Sequence, residues 1–322
     1  MSWQSKAQAM KRALLCIPLL TSSCVRPTLG HGRYIISYQG NSPGSDGAIL
    51  LDLNARRASP ICDDGNESNM ACIAASGSTF SSDLLLLHPI TIEGIIQEQK
   101  LMVWSKTGQS LILLTDSDPN IKNRNEALGA FSPVERKASF AVIEADQIHS
   151  SIWIRDLQNE STRQLTEISS ENYWYAYPTW TGDGTAVAYF RVERSGSGNL
   201  RARVLKYDLK SESSEELENL SNTVSIAFAP KASDVVAAWT ALGLELFDSK
   251  TRRLLIPIEW CGTRRLAPNT LAFDESGKYI LFSVYDISQK QGQIYQMSIA
   301  DSKIVEVFMK NGARITSISL TQ

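Results

Sequence analysis

The 322 residues are 43% hydrophobic and 20% charged, enough apolar material for a large buried core in two average domains or one large all-β domain. With 32 basic against 34 acidic residues the formal net charge is -2, so the chain lacks the cationic footprint that neutralises nucleic-acid phosphates, and nucleic acid is excluded as a partner.

The first segment differs from everything that follows. Lys11 and Arg12 precede the uncharged run Ala13-Leu-Leu-Cys-Ile-Pro-Leu-Leu20, which ends at Thr21-Ser-Ser-Cys24. A basic start, a short apolar run and small residues are the layout of an export signal, and the run falls far short of the ~20 residues of a bilayer-spanning helix. The segment resembles a bacterial lipoprotein signal, in which a cysteine after two small residues is acylated. It departs from that pattern in having Thr21 where leucine is usual, with Leu20 one step further back. The resemblance implies lipidation at Cys24, a periplasmic location with outer-membrane anchoring, and membrane contact only through the acyl chains. The other reading is an ordinary cleavage site beside a plain cysteine. Residues 1–24 are thus expected to be a signal, 25–32 a tether and 33–322 the folded body, whose formal charge without residues 1–23 is about -5.

Cys62 and Cys72 flank a polar stretch, Asp63-Asp-Gly-Asn-Glu-Ser-Asn69, that reads as a loop. In an oxidising compartment they are expected to pair and contribute about 2–3 kcal/mol by restricting the unfolded chain, with Cys261 left over; three buried thiols is the alternative.

A strand, a polar turn and a second strand recur six times from residue 49 onward: at Ile49 to Ile61, Leu101 to Leu113, Ile152 to Leu165, Val204 to Leu217, Leu244 to Leu255 and Ile294 to Val305. Four copies are preceded by an aromatic residue, a Pro-, Gly-, Asp- or Ser-rich turn, and a further strand. These leaders begin at Phe131, Trp180, Phe228 and Phe273. Two hairpins per repeat make a four-stranded antiparallel sheet, so the period predicts an all-β, six-bladed β-propeller. The first repeat, starting at Arg33-Tyr-Ile-Ile-Ser-Tyr38, lacks a first strand, and the C-terminal Arg314-Ile-Thr-Ser-Ile-Ser-Leu320 supplies one. The expected blades are 33–62 with 313–322, then 80–116, 128–167, 176–219, 222–259 and 268–309. The second lacks the aromatic turn.

Trp180-Thr-Gly-Asp-Gly184, Val187-Ala-Tyr-Phe190 and Ile152-Trp-Ile-Arg-Asp-Leu157 followed by Gln164-Leu-Thr166 resemble the TolB-type propeller repeat over residues 33–322, in a degenerate form. The resemblance implies the propeller, export and a protein-binding habit. That family's additional N-terminal α/β domain has no counterpart in this chain's length.

Chemical motifs are sparse. Gly40-Asn-Ser-Pro-Gly44 spells a serine-hydrolase elbow but sits between two strands, where the strand-to-helix turn such an elbow needs is missing. The three histidines, His31, His88 and His149, are scattered. Asp116-Ser-Asp-Pro-Asn120 alternates oxygen ligands without the glycine and terminal glutamate of a calcium loop. Glu144, Asp146, Glu193 and Asp286 share a face without motif spacing. The strongest binding candidate is aromatic: Tyr173, Trp174, Tyr175 and Tyr177, read as a loop entering the fourth blade. Arg191 and Arg194, and Trp260, Arg264 and Arg265 after the fifth blade, are expected on the same face. Tyr, Trp and Arg dominate interface hot spots. The expectation is a monomeric protein of the cell envelope that is not an enzyme, needs no cofactor or metal, and docks a protein partner. The rival is a propeller lyase, glycosidase or saccharide binder using the central channel.

Overall fold

The structure, a computed structural model, describes residues 23–25, 32–41, 46–63, 72, 74–92, 95–105, 110–113, 124–146, 148–194 and 200–321. The basic and apolar parts of the expected signal, His31, Ser42 and Asp116 to Asn120 lie outside the described residues, as do residues 64–70 of the polar stretch between Cys62 and Cys72. Among the described residues, apart from two single 3-10 turns, Glu218–Leu220 and Ile258–Cys261, every regular element is a strand. Among the described residues no helix is long and apolar enough to cross a membrane.

After β1 (Ser23–Val25), the chain makes a meander of β2 (Arg33–Gly40), β3 (Gly47–Asp52) and β4 (Arg57–Asp63). Five four-stranded antiparallel meanders follow. The first is β5 (Ala74–Gly77), β6 (Asp83–Ile92), β7 (Ile95–Ser105) and β8 (Ser110–Leu113). The second is β9 (Asn125–Phe131), β10 (Lys137–Ile143), β11 (Ser150–Asp156) and β12 (Thr162–Gln164). The third is β13 (Tyr173–Trp180), β14 (Ala186–Arg194), β15 (Leu200–Asp208) and β16 (Ser213–Glu216). The fourth is β17 (Ser225–Phe228), β18 (Val236–Thr240), β19 (Gly243–Phe247) and β20 (Arg252–Pro257). The fifth is β21 (Arg265–Phe273), β22 (Tyr279–Asp286), β23 (Gln291–Ser298) and β24 (Ile304–Asn311). The last strand, β25 (Ala313–Thr321), returns to β2, running antiparallel from Arg33 opposite Thr321 to Gly40 opposite Ala313. A single parallel bridge between Gln291 and Ala313 joins this first sheet to the last. β1 lies on the outer edge of β24, with Cys24 opposite Met309.

The two recurring sequence units have separate jobs. In the outer hairpins an aspartate closes the turn by accepting backbone N–H groups: Asp52 from Ala55 at 2.8 Å, Asp156 from Gln158 at 2.9 Å, Asp208 from Ser211 at 2.7 Å and Asp248 from Lys250 at 2.7 Å. In the inner unit the aromatic residue packs back onto the preceding sheet. Phe131, Trp180, Phe228 and Phe273 are all buried, and the Trp180 indole N–H donates to the Ala130 carbonyl of the sheet before it at 3.0 Å. The next residue caps the turn: Ser132 accepts the Glu135 N–H and Asp274 the Tyr279 N–H.

The second sheet differs from expectation in a specific way. Its first strand is Ala74–Gly77, outside the expected 80–116, with Gly77 where four of the other sheets have an aromatic. A Cβ on Gly77 would sit 2.5 Å from the Thr321 Cβ, so the space an aromatic fills elsewhere is taken by β25. Ser78 still caps the turn, accepting N–H groups from Phe80 and Ser81.

Among the described residues the core is divided into six hydrophobic clusters, and each spans two sheets. Ile35 and Ala48 meet Leu84 and Leu86; Leu85 and Leu101 meet Phe140; Ile152 meets Val187 and Tyr189; Phe190 meets Ile226 and Val236. Trp239 meets Phe282, and Leu281 and Phe308 meet Tyr34 and Ile36 of the first sheet.

Candidate functional site

The innermost strands β25, β5, β9, β13 and β21 contribute residues to two cavities that open toward opposite ends of these strands. At their N-terminal ends is a cavity of about 530 Å³, lined among others by His149, Trp174, Tyr175, Tyr177, Arg194 and Asn269. That volume falls within the usual range of small-molecule sites.

Bulges aim several of these side chains inward. The β13–β14 register skips between Ala176 and Thr179, and Tyr177 sits there at φ 50°. The β21–β22 register skips between Leu266 and Leu271, where Asn269 has φ 57°. On β25 the skip falls at Thr316, a third lining residue. A bulge re-aims one side chain without ending the sheet, and a tyrosine held at positive φ costs strain that the surrounding fold must sustain. The Tyr177 ring meets Phe190 edge-on at 6.1 Å and is still 40% exposed. Burial pushes the Tyr177 hydroxyl pKa up, against the pull of nearby Arg314.

The electrostatics of this end are one-sided. Among the described residues no carboxylate lines the cavity. Arg194 lies over the Trp174 ring at 5.7 Å and forms no ion pair with a carboxylate among the described residues. The acids expected on this face are bound elsewhere. Glu144 pairs with Arg124 at 2.8 Å, Glu193 with Arg191 at 2.7 Å and Arg203 at 3.1 Å, and Asp286 accepts the Gln289 N–H at 3.0 Å. Burial works against the Glu193 carboxylate, but the hydrogen bonds and charges of Arg191 and Arg203 outweigh it and hold its pKa below the usual range. Asp146 accepts the backbone N–H groups of His149 and Ile148 and also contacts the His149 Nδ1; these bonds, the His149 N–H foremost, hold its pKa down at about 2. Because the carboxylate only accepts, the shared proton sits on Nδ1, and Nε2 is the His149 atom left for other partners.

The residues singled out by sequence separate into two groups. Tyr173 to Tyr177 lie within strand β13, which corrects the loop reading: the aromatics alternate with the pleat. Tyr175 is core, edge-on to Tyr173 at 5.4 Å and Tyr189 at 5.5 Å, and burial, reinforced by Tyr173, raises its hydroxyl pKa. Arg191 covers the Tyr173 ring at 5.6 Å. Trp260 and Arg264 are not among the residues lining the cavity. The Arg264 guanidinium lies over Trp260 at 4.2 Å and donates to the Trp260 and Cys261 carbonyls and to the Tyr295 hydroxyl. It fastens the turn before β21, while Arg265 at the start of β21 is exposed. Cys72 is buried and disulfide-bonded, the Cys62 side chain lies outside the described residues, and Cys261 is a buried free thiol. Sequence reasoning set His149 aside as one of three scattered histidines and did not single out Asn269 or Thr316; the Asp146-x-x-His149 spacing was a signal for the first. Among the described residues no three His, Cys, Asp or Glu side chains gather as metal ligands.

The opposite end holds a cavity of about 300 Å³, lined by the repeating residues themselves, including Phe131, Trp180, Phe228 and Phe273.

No family model and no curated protein matches the chain by sequence. Solved structures do. TolB from Acinetobacter baumannii aligns over 98% of this chain and 71% of its own at 13% identity, with a TM-score of 0.62. A chain of a nidogen/laminin complex aligns over 90% of this chain and 99% of its own at 13% identity and a TM-score of 0.56. The β-propeller domain of the trilobed protease from Pyrococcus furiosus aligns over 88% and 84% at 10% identity and a TM-score of 0.51. The fold is that of a β-propeller, and the likeness to TolB extends to the fold. The expectation that the chain is not an enzyme is corrected. The fold is shared with that protease's propeller domain. At 10% identity the shared fold neither assigns nor excludes catalysis.

Proposed function

We propose that this chain is an exported, six-bladed propeller of the cell envelope, anchored through a lipidated Cys24, that docks a protein partner on the face where the 530 Å³ cavity opens. The six two-sheet clusters, with the last sheet packing on the first, support six blades closed by β25. In this reading Cys62 is the disulfide partner of Cys72, residues 33–322 are the folded body, and the protein is a monomer. The nidogen/laminin structure is a precedent for this fold in a protein–protein complex.

One observation carries the docking face: Trp174, Tyr177 and Arg194 converge at a mouth where, among the described residues, no carboxylate lies and Arg194 has no ion-pair partner. Aromatic rings and an uncommitted guanidinium are the components of a hot spot. A photo-crosslinking amino acid at position 177, in the native cell envelope, is expected to give one stoichiometric adduct identifiable by mass spectrometry. Trp174→Asp in the same background should remove it. An adduct that persists unchanged in Trp174→Asp places the partner elsewhere.

A further inference from the structure

The cavity beneath that face has its own chemistry, and it does not depend on whether a protein docks above it. Part of its wall is small: Ala74, Ala127, Ala141 and Ala176 leave room within the 530 Å³ volume. Against this lining stand two flat rings, one guanidinium and one imidazole. Trp174 is half-buried beneath the Arg194 guanidinium, and Tyr177 is held at positive φ on its bulge. His149 is fixed through Nδ1 by Asp146. The nearby acids are committed to Arg124, Arg191 and Arg203 or to His149, so no anion belonging to the protein competes for Arg194 among the described residues. A positive wall without a carboxylate selects an anion. A guanidinium presents parallel N–H groups matched to a carboxylate, and the two rings favour a flat or ring-shaped body beside it.

We infer that the cavity is a binding site for a carboxylate carried on a ring-bearing body, with Arg194 taking the carboxylate, Trp174 and Tyr177 stacking on the body, and the free Nε2 of His149 bonding a polar group of the ligand. Two sources offer this chemistry: the carboxyl terminus of a peptide chain ending in a ring-bearing residue, and a free sugar acid.

The test uses the folded chain and two matched pairs of probes in isothermal titration calorimetry: N-acetyl-L-phenylalanine against its amide, and D-glucuronate against D-glucose. At least one acid is expected to bind about tenfold to a hundredfold more tightly than its neutral counterpart, as the loss of one charge-assisted bidentate contact implies. Preference for the phenylalanine acid identifies a chain terminus, and preference for glucuronate a sugar acid; either supports the site. Arg194→Ala should erase the acid preference and Arg194→Lys should restore part of it, with unchanged thermal melting as the control for folding. Trp174→Ala should weaken acid and neutral probe together. Equal binding of acid and neutral forms, an acid preference that survives Arg194→Ala, or no binding of any probe would overturn the inference. None of these outcomes bears on crosslinking at position 177, so the two proposals fail separately.

Discussion

The two ends of the central channel are built by different rules. One is lined by the residues that repeat: Phe131, Trp180, Phe228 and Phe273, each buried against the preceding sheet and each followed by a tight turn. The other is lined by side chains of unlike kinds, Trp174, Tyr177, Arg194, His149 and Asn269, even where Tyr177 and Asn269 sit at matching bulges. The recurring positions hold sheet against sheet. The unrepeated ones are free to diverge because no neighbouring sheet depends on them.

This contrast makes quantitative expectations. At the repeating end, Gly182→Ala should cost about 3 kcal/mol or more, because its Cβ would fall 1.8 Å from the Ala229 carbonyl oxygen across the sheet boundary. Trp180→Ala should cost about 3–5 kcal/mol in urea unfolding, through lost packing and the lost hydrogen bond to Ala130. If either loss is under ~1 kcal/mol, the repeat does not hold the sheets together as described. At the other end, Trp174→Asp should leave stability within about 1 kcal/mol while removing partner crosslinking. The smallest effect is expected at Tyr177→Asn: asparagine tolerates the left-handed backbone, so relief of strain should roughly offset the lost Phe190 contact, to within about 1 kcal/mol.

Acid should probe the ion pairs that clear the binding end and fasten the outer strands. The Arg252 side chain, with Thr240, holds the Glu245 pKa low, and Glu193 and Asp146 are also depressed. A depressed folded-state pKa contributes stability that is complete above the ordinary carboxylate range and is lost as pH falls through the folded value. Melting temperature is therefore expected to be flat above about pH 5 and to fall progressively below about pH 4. Glu245→Gln should flatten that acid limb; an unchanged limb would remove the Arg252 pair from the account.

What was legible in the sequence follows the same division. Hairpins closed by Asp52, Asp156, Asp208 and Asp248 announce themselves because a carboxylate accepting turn N–H groups is a local interaction. The aromatic turns were legible for the same reason, and the pairing of β25 with β2 followed from a missing first strand. β5 was not legible: Ala74-Ala-Ser-Gly77 carries no strand signal, and its glycine is required by Thr321, which lies at the far end of the sequence. The binding end was legible in composition but not in geometry. Tyr173 to Tyr177 stood out as aromatic, yet their alternation between core and channel depends on a bulge set by β14, and Arg264 looked available until the structure showed its donors used on Trp260, Cys261 and Tyr295.

The pairing of β25 with β2 also governs the order in which the molecule can be made. β2 leaves the ribosome well before β25, so Tyr34 and Ile36 wait, uncovered on one side, until β25 arrives. A contact spanning nearly the whole chain is slow to form and leaves a sticky strand edge exposed in the meantime. The four middle sheets can form as local meanders while this happens. Completing the first sheet is then the late step, and a chain without β25 would be arrested just short of it.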